Sequence, residues 1–214
     1  MWFTKKNKDE NVKSKSVGGV ATAARMGVLG MSVAGTLATG LLIKPWEGRE
    51  YVAYQDVGGV WAYCDGITDK KYLRLPPYRY TDDECDIHLA REVNAHEDRL
   101  QACLNPEIEL PELTKASFVS FTFNVGSGAA CRSTLVRKAN AGDLEGACNE
   151  LSNWVFVGKQ KFRGLENRRF KGDATRVSER TVCRIGIDPA YKTPLFEKVY
   201  VGYKNWKSNV SEGL

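Results

Sequence analysis

The stretch Glu47-Gly48-Arg49-Glu50-Tyr51-Val52-Ala53-Tyr54-Gln55-Asp56 marks a change of character in the chain. Glu47 precedes a glycine that can close a helix in the left-handed region, so it reads as the last residue of a helix. Residues 48–80 are rich in Gly, Tyr, Val and Trp, with turn signals at Asp56-Val57-Gly58-Gly59 and Asp65-Gly66. They read as a short antiparallel sheet with irregular loops, and Asp56 falls at the tip of its first hairpin. Downstream, Thr81-Asp82-Asp83-Glu84 is a capping box that opens a helix carrying Cys85, His88, Leu89, Glu92 and Val93 on one face. Further helical patterns span 112–123, 133–140, 143–155 and 165–182, broken at Gly126/Gly128, Gly142 and Gly158. A small β lobe followed by a larger helical lobe is an α+β plan.

Working toward the N-terminus, Val17 to Ile43 reads VGGVATAARMGVLGMSVAGTLATGLLI with Arg25 as its one charge. Met26–Ile43 is an uncharged run of 18 residues, about 27 Å as a helix, just enough for a thin hydrocarbon core. Lys5, Lys6, Lys8, Lys13 and Lys15 precede it, which orients a membrane segment with its N-terminus in the cytoplasm. Six glycines make the segment weakly hydrophobic, and Gly30, Ala34 and Ala38 line up small residues for close helix packing. Cleavage after Ser32-Val33-Ala34 or Thr36-Leu37-Ala38 as a secretory signal is one alternative, and a buried core helix is another. The expected organisation is therefore a basic tail (1–16), a membrane segment (17–43), a catalytic domain (44–184) and a C-terminal extension without an assigned role (185–214).

Charge follows the same division. Net charge is +5, yet residues 1–43 hold six Lys/Arg against Asp9 and Glu10, leaving 25 basic and 24 acidic side chains in the rest. That balance argues against nucleic acid as a partner. Composition is otherwise globular, at 43% apolar and 27% charged, which excludes fibrous and wholly disordered classes. Six cysteines (Cys64, Cys85, Cys103, Cys131, Cys148, Cys183) lack metal-ligand spacing; in an exported domain at least one disulfide is expected, with the connectivity open.

Glu47 and Asp56, on two elements, can face each other across a groove between lobes. Glycoside hydrolysis uses such a pair, one carboxyl protonating the leaving oxygen and the other activating water or stabilising charge on the sugar. Spacing alone is weak support, but the context is specific. Glu47-Gly48 with Asp56 resembles the Glu-Gly-x8-Asp signature of the phage-type lysozyme family, which includes the T-even phage lysozyme and lambdoid-phage endolysins. The resemblance continues through Gly59-Val60-Trp61, Cys64-Asp65-Gly66-Ile67-Thr68, Ser120-Phe121-Thr122-Phe123-Asn124-Val125-Gly126, Ser133-Thr134-Leu135, Asn140-Ala141-Gly142-Asp143, Trp154 and Gly164-Leu165-Glu166-Asn167-Arg168-Arg169, covering about residues 44–182. The N-terminal segment resembles that of signal-arrest-release endolysins.

The resemblance implies a lysozyme-like fold and cleavage of the β-1,4 bond between N-acetylmuramic acid and N-acetylglucosamine in bacterial peptidoglycan, causing host lysis. It makes Glu47 the general acid and Asp56 the carboxylate that supports the attacking water. Arg168 and Asn124 would support them, Arg168 by pairing with the acid. It implies no metal or organic cofactor, a monomer, and a passage from the host inner membrane to the periplasm. One departure stands out: Ala62 occupies the position, six residues after the aspartate, where the family has a water-holding Thr. Losing that hydrogen bond predicts a slower enzyme. It also favours a rival reading, a membrane-tethered peptidoglycan-binding pseudoenzyme; a structural envelope protein would need neither carboxylate.

Other residues carry plainer readings. Tyr51, Tyr54, Trp61 and Trp154 are core or saccharide-stacking residues, with core the default. His88 and His96 are expected on a solvated helix face. The nine cations between Lys159 and Arg184 form either a solvated face or a contact for anionic peptidoglycan.

Overall fold

The computed structural model describes residues 30–56, 58–198 and 200–201. The basic tail, the first part of the expected membrane segment (17–29) and the end of the extension (202–214) lie outside the described residues.

The first helix, α1, is one continuous rod of three parts: Val33–Leu37, a wider π-turn at Ala38–Ile43, and Lys44–Glu47. Ser32 caps its start, accepting the Gly35 N–H at 2.9 Å. Because a π-turn rotates less per residue, Leu41, Leu42 and Ile43 all face inward, and each is at most 3% exposed. Ala34, Leu37 and Ala38 join them in the core. The helix therefore runs through the expected boundary at 43/44, and residues 33–43 are packed in the same core as the residues after it. Among the described residues no helix is long and apolar enough to cross a membrane.

Strands β1 (Glu50–Gln55) and β2 (Trp61–Cys64) form the antiparallel hairpin, with Tyr54 opposite Ala62. Helix α2 (Asp82–Gln101) begins at the capping box as expected, with Thr81 and Glu84 satisfying each other's backbone N–H groups. Helix α3 (Glu112–Val125) is buried on every side, including Thr114, Ser117, Ser120 and Thr122, and forms the axis of the helical lobe. After it come α4 (Ser127–Cys131), α5 (Thr134–Asn140) and α6 (Leu144–Glu150), the last two packed on each other. A two-residue hairpin, β3 (Phe156–Val157) with β4 (Gln160–Lys161), leads to α7, which is Arg163–Glu166 continued by a π-turn at Asn167–Lys171.

The continuous helix expected over 165–182 is not found. Gly172 ends α7 at φ 71°, a loop follows, and Ser178 caps a new helix, α8 (Glu179–Ile187). A Cβ at Gly172 would lie 2.8 Å from the Arg176 carbonyl, so the reversal depends on glycine there. Part of the C-terminal extension also joins the core, through the fully buried Phe196.

All six cysteines pair: Cys64–Cys85 joins β2 to α2, Cys103–Cys131 joins the end of α2 to α4, and Cys148–Cys183 joins α6 to α8.

Candidate active site

Glu47 is the last residue of α1, and Gly48 releases the chain at φ 74° into β1. Three residues, Trp46, Lys44 and Arg49, hold this corner. The Trp46 indole N–H donates to the Val177 carbonyl at 3.0 Å, with the Arg176 guanidinium 4.0 Å from the ring centroid. Lys44 pairs with Asp86 at 2.8 Å. Two residues beyond Glu47, Arg49 meets three carboxylates, Asp65 at 2.7 Å, Asp82 at 2.8 Å and Asp86 at 2.5 Å. Burial opposes the charge on Arg49, but Asp65 and Asp86 outweigh it and push its pKa up. Asp65 and Asp86 are themselves sequence neighbours of the Cys64–Cys85 disulfide. The disulfide and the arginine therefore fasten the Glu47 corner to the hairpin and to α2 at one place.

Asp56 sits at the end of β1. Its Oδ1 accepts the backbone N–H groups of Gly58 and Val60, each at 2.8 Å, while its own N–H donates to the Val60 carbonyl at 2.9 Å. The loop thus orients the carboxylate through backbone donors. Tyr54 lies among the acidic groups of this lobe. Burial, and after it the charges of Glu47, Glu50 and Asp56, push its phenol pKa up.

The Glu47 carboxylate is only 6% exposed and forms an ion pair with Arg168 of α7, the pairing expected from the sequence. Arg168 also donates through Nε to Glu179 Oε1 at 3.1 Å, and its Nη2 lies 3.5 Å from Ser120 Oγ. Arg169, its neighbour, pairs with the other oxygen of Glu179 and donates to Asn124 Oδ1 at 2.5 Å and to the Trp154 carbonyl at 3.3 Å. Asn124 therefore joins the site through Arg169 rather than Arg168. Burial opposes both guanidinium charges. For Arg168, Glu47 and Glu179 outweigh burial and the pKa rises; for Arg169, burial prevails over Glu179 and it falls.

Several expectations are corrected. His96 is not on a solvated face: it is mostly buried, lies 3.0 Å from Ser127 Oγ and packs on Phe123, and burial lowers its pKa to about 4. His88 packs among Tyr63, Tyr72 and Tyr80. The basic run 159–184 is largely spent on internal pairs. Arg168 and Arg169 meet Glu179, Lys161 and Lys171 meet Glu166, and Arg176 meets Asp173. Trp154 packs edge-on to Phe121, and Tyr51 donates to Asp82 at 3.0 Å. Ala62 is fully buried on β2. Among the described residues no group of His, Cys, Asp or Glu is arranged to hold a metal ion.

The sequence did not reveal Glu179, Arg169 or Arg49 as parts of this site. The signal available was the doublet Arg168-Arg169 inside a helix, since two buried cations side by side need a buried anion.

Comparison with known proteins gives the family. The phage lysozyme family model matches residues 44–171. The chain belongs to the phage lysozyme family. It is 35% identical over 169 residues to a SAR-endolysin of Enterobacteria phage PA-2, covering 78% of this chain and 94% of that protein. With a SAR-endolysin of Bacteriophage PS119 it shares 37% identity over 142 residues, 65% of this chain and 77% of the relative. Among solved structures, the active form of the P1 phage endolysin Lyz superposes with a TM-score of 0.64 at 21% identity, over 79% of this chain and 95% of that one. The fold is lysozyme-like, and the chain is a glycoside hydrolase of the muramidase type.

Proposed function

We propose that the protein is a phage endolysin that cleaves the β-1,4 bond between N-acetylmuramic acid and N-acetylglucosamine in peptidoglycan, with Glu47 as general acid and Asp56 as the carboxylate supporting the attacking water. The observation that carries this reading is the buried Glu47 carboxyl, fixed by Arg168 at the end of α1, beside a hairpin whose loop holds Asp56. Glu47 delivers a proton to the glycosidic oxygen as the bond breaks. Asp56, its Oδ1 held by two backbone donors, supports water and the positive charge that develops on the sugar. Arg168 fixes the acid's orientation, and Asn124 steadies Arg169 behind it.

Control by membrane release is part of the same proposal. Residues 17–43 would first hold the protein in the host inner membrane with the catalytic lobe in the periplasm. Escape of the weakly apolar segment would then let residues 33–43 take their place in the core. The names of the relatives and the core position of α1 support this route.

Glu47→Gln tests the chemistry. It keeps shape but lacks the proton, so hydrolysis of purified peptidoglycan should fall at least about 100-fold; wild-type turnover would rule out the assignment. The pseudoenzyme reading rests on Ala62. If the missing hydroxyl matters, Ala62→Thr raises turnover, and a wild-type chain that binds peptidoglycan with no measurable release of glycan ends would favour the pseudoenzyme.

A further inference from the structure

The carboxylate that the mechanism leaves unused is Glu179, the first residue of α8, and it is fully buried. Its Oε1 accepts from Arg168 Nε at 3.1 Å and from Ser120 Oγ at 2.8 Å, and its Oε2 pairs with Arg169. Ser117 Oγ donates to its carbonyl at 2.8 Å. Glu179 does not reach the surface. It lies beyond the residues that the family model matches, 44–171.

Charge accounts for its presence. Arg168 and Arg169 are adjacent and nearly inaccessible, at 5% and 1% exposure. An arginine stays protonated even there. Without an internal anion both cations would bear on Glu47, the next carboxylate along the chain of contacts. The remaining charged groups facing this cluster are committed elsewhere. Arg180 stacks on Phe170 and donates to Ser152, and Arg176 pairs with Asp173. On the hairpin side the charges of Glu47, Glu50, Asp56 and Asp65 all bear on Tyr54.

We propose that Glu179 is a positioning residue for catalysis, a buried counter-ion that aims Arg168 at Glu47 and cancels Arg169, so that one cation rather than two acts on the general acid. This rests on the reading of Glu47 as that acid. Three oxygen-bearing side chains and two guanidinium groups then form one line, Asn124–Arg169–Glu179–Arg168–Glu47, that runs from α3 to the end of α1. Glu179 also occupies the first turn of α8, where the helix dipole favours an anion.

The test is the pH dependence of kcat/KM on solubilised peptidoglycan for Glu179→Gln and Arg169→Gln, with Glu47→Gln as the reference. Glu179→Gln leaves two cations against Glu47, which favours its ionised form. The alkaline limb, where the acid loses its proton, should move down by about one pH unit, the low end of what a nearby charge does. Arg169→Gln removes a cation, and the limb should move up. KM should change little in either, since neither side chain reaches the surface. The position of a limb does not depend on how much of the sample is folded, so partial unfolding does not obscure the answer. If Glu179→Gln yields no active enzyme, Glu179→Gln/Arg169→Gln, which restores the balance of charge, should return a limb near the wild-type position. Opposite shifts support the proposal. Limbs that stay put, or that move in the same direction, or a silent double variant, overturn it while leaving Glu47 as the acid. Activity in Glu47→Gln would instead overturn the reading on which it rests.

Discussion

Leu42→Ala and Val33→Ala remove apolar atoms from the same segment but should have different consequences. Leu42 is fully buried between α1 and the helical lobe, whereas Val33, nine residues earlier, is 45% exposed. Truncating a buried leucine costs about 2–5 kcal/mol, the range reflecting how far the site can collapse. The cavity opens next to α3, which is buried on all sides and has little room to move, so the upper half of that range is expected. For a domain of this size the melting temperature should fall by roughly 7–20 °C. Val33→Ala should stay within about 0.5 kcal/mol of wild type. Circular dichroism melts of the purified full-length protein in detergent-free buffer measure both. An unchanged melting temperature in Leu42→Ala, or equal losses in the two variants, would show that residues 33–43 are not part of the folded core.

The remaining predictions concern truncation, the Arg49 hub and the buried histidine. A chain starting at Lys44, where the family match begins, lacks Leu37, Leu41, Leu42 and Ile43. It should bind a hydrophobic dye and show no muramidase activity, as measured by fluorescence and by glycan release. Arg49→Gln leaves the buried Asp65, 1% exposed, without its arginine, while Asp86 keeps Lys44. It should cost about 3–5 kcal/mol in urea titrations, with the deficit shrinking as acid protonates Asp65, whose pKa burial already pushes up, and it should slow turnover by loosening the Glu47 corner. His96 has its pKa lowered to about 4 by burial and by the charge of Arg99, from an unfolded value near 6.5. Its contribution is therefore complete above pH 6.5 and is lost as pH falls from 6.5 toward 4, by up to about 3 kcal/mol. In His96→Gln the fall in stability between those pH values should be visibly shallower; an identical slope would refute the assignment.

What could be read from the sequence was local. The capping box at Thr81, the helix end at Glu47-Gly48 and the hairpin tip at Asp56 each depend on a few adjacent residues, and all three stand in the structure. The family resemblance added the distant partner Arg168, 121 positions from Glu47. Glu179 escaped notice because its meaning comes from Ser120, Arg168 and Arg169 together, which no local pattern joins. His96 looked exposed because charged residues flank it, yet α4 closes over that face through Ser127. The helix expected over 165–182 failed at Gly172, where the close approach of the Arg176 carbonyl overrides a helical pattern of side chains.

Helix α1 has one apolar surface and, on the proposed route, two solvents for it, lipid and the protein interior. The same atoms cannot be in both. Partition of the segment out of the bilayer is then linked to completion of the fold, and folding free energy becomes part of the driving force for extraction. A substitution far from the membrane, such as one that tightens the packing of α3 against α8, would hasten departure, and one that loosens it would cause delay. The moment of lysis would in that case be set by the thermal stability of the enzyme as much as by the greasiness of its leader, and a series of core variants ordered by melting temperature should also be ordered by lysis time.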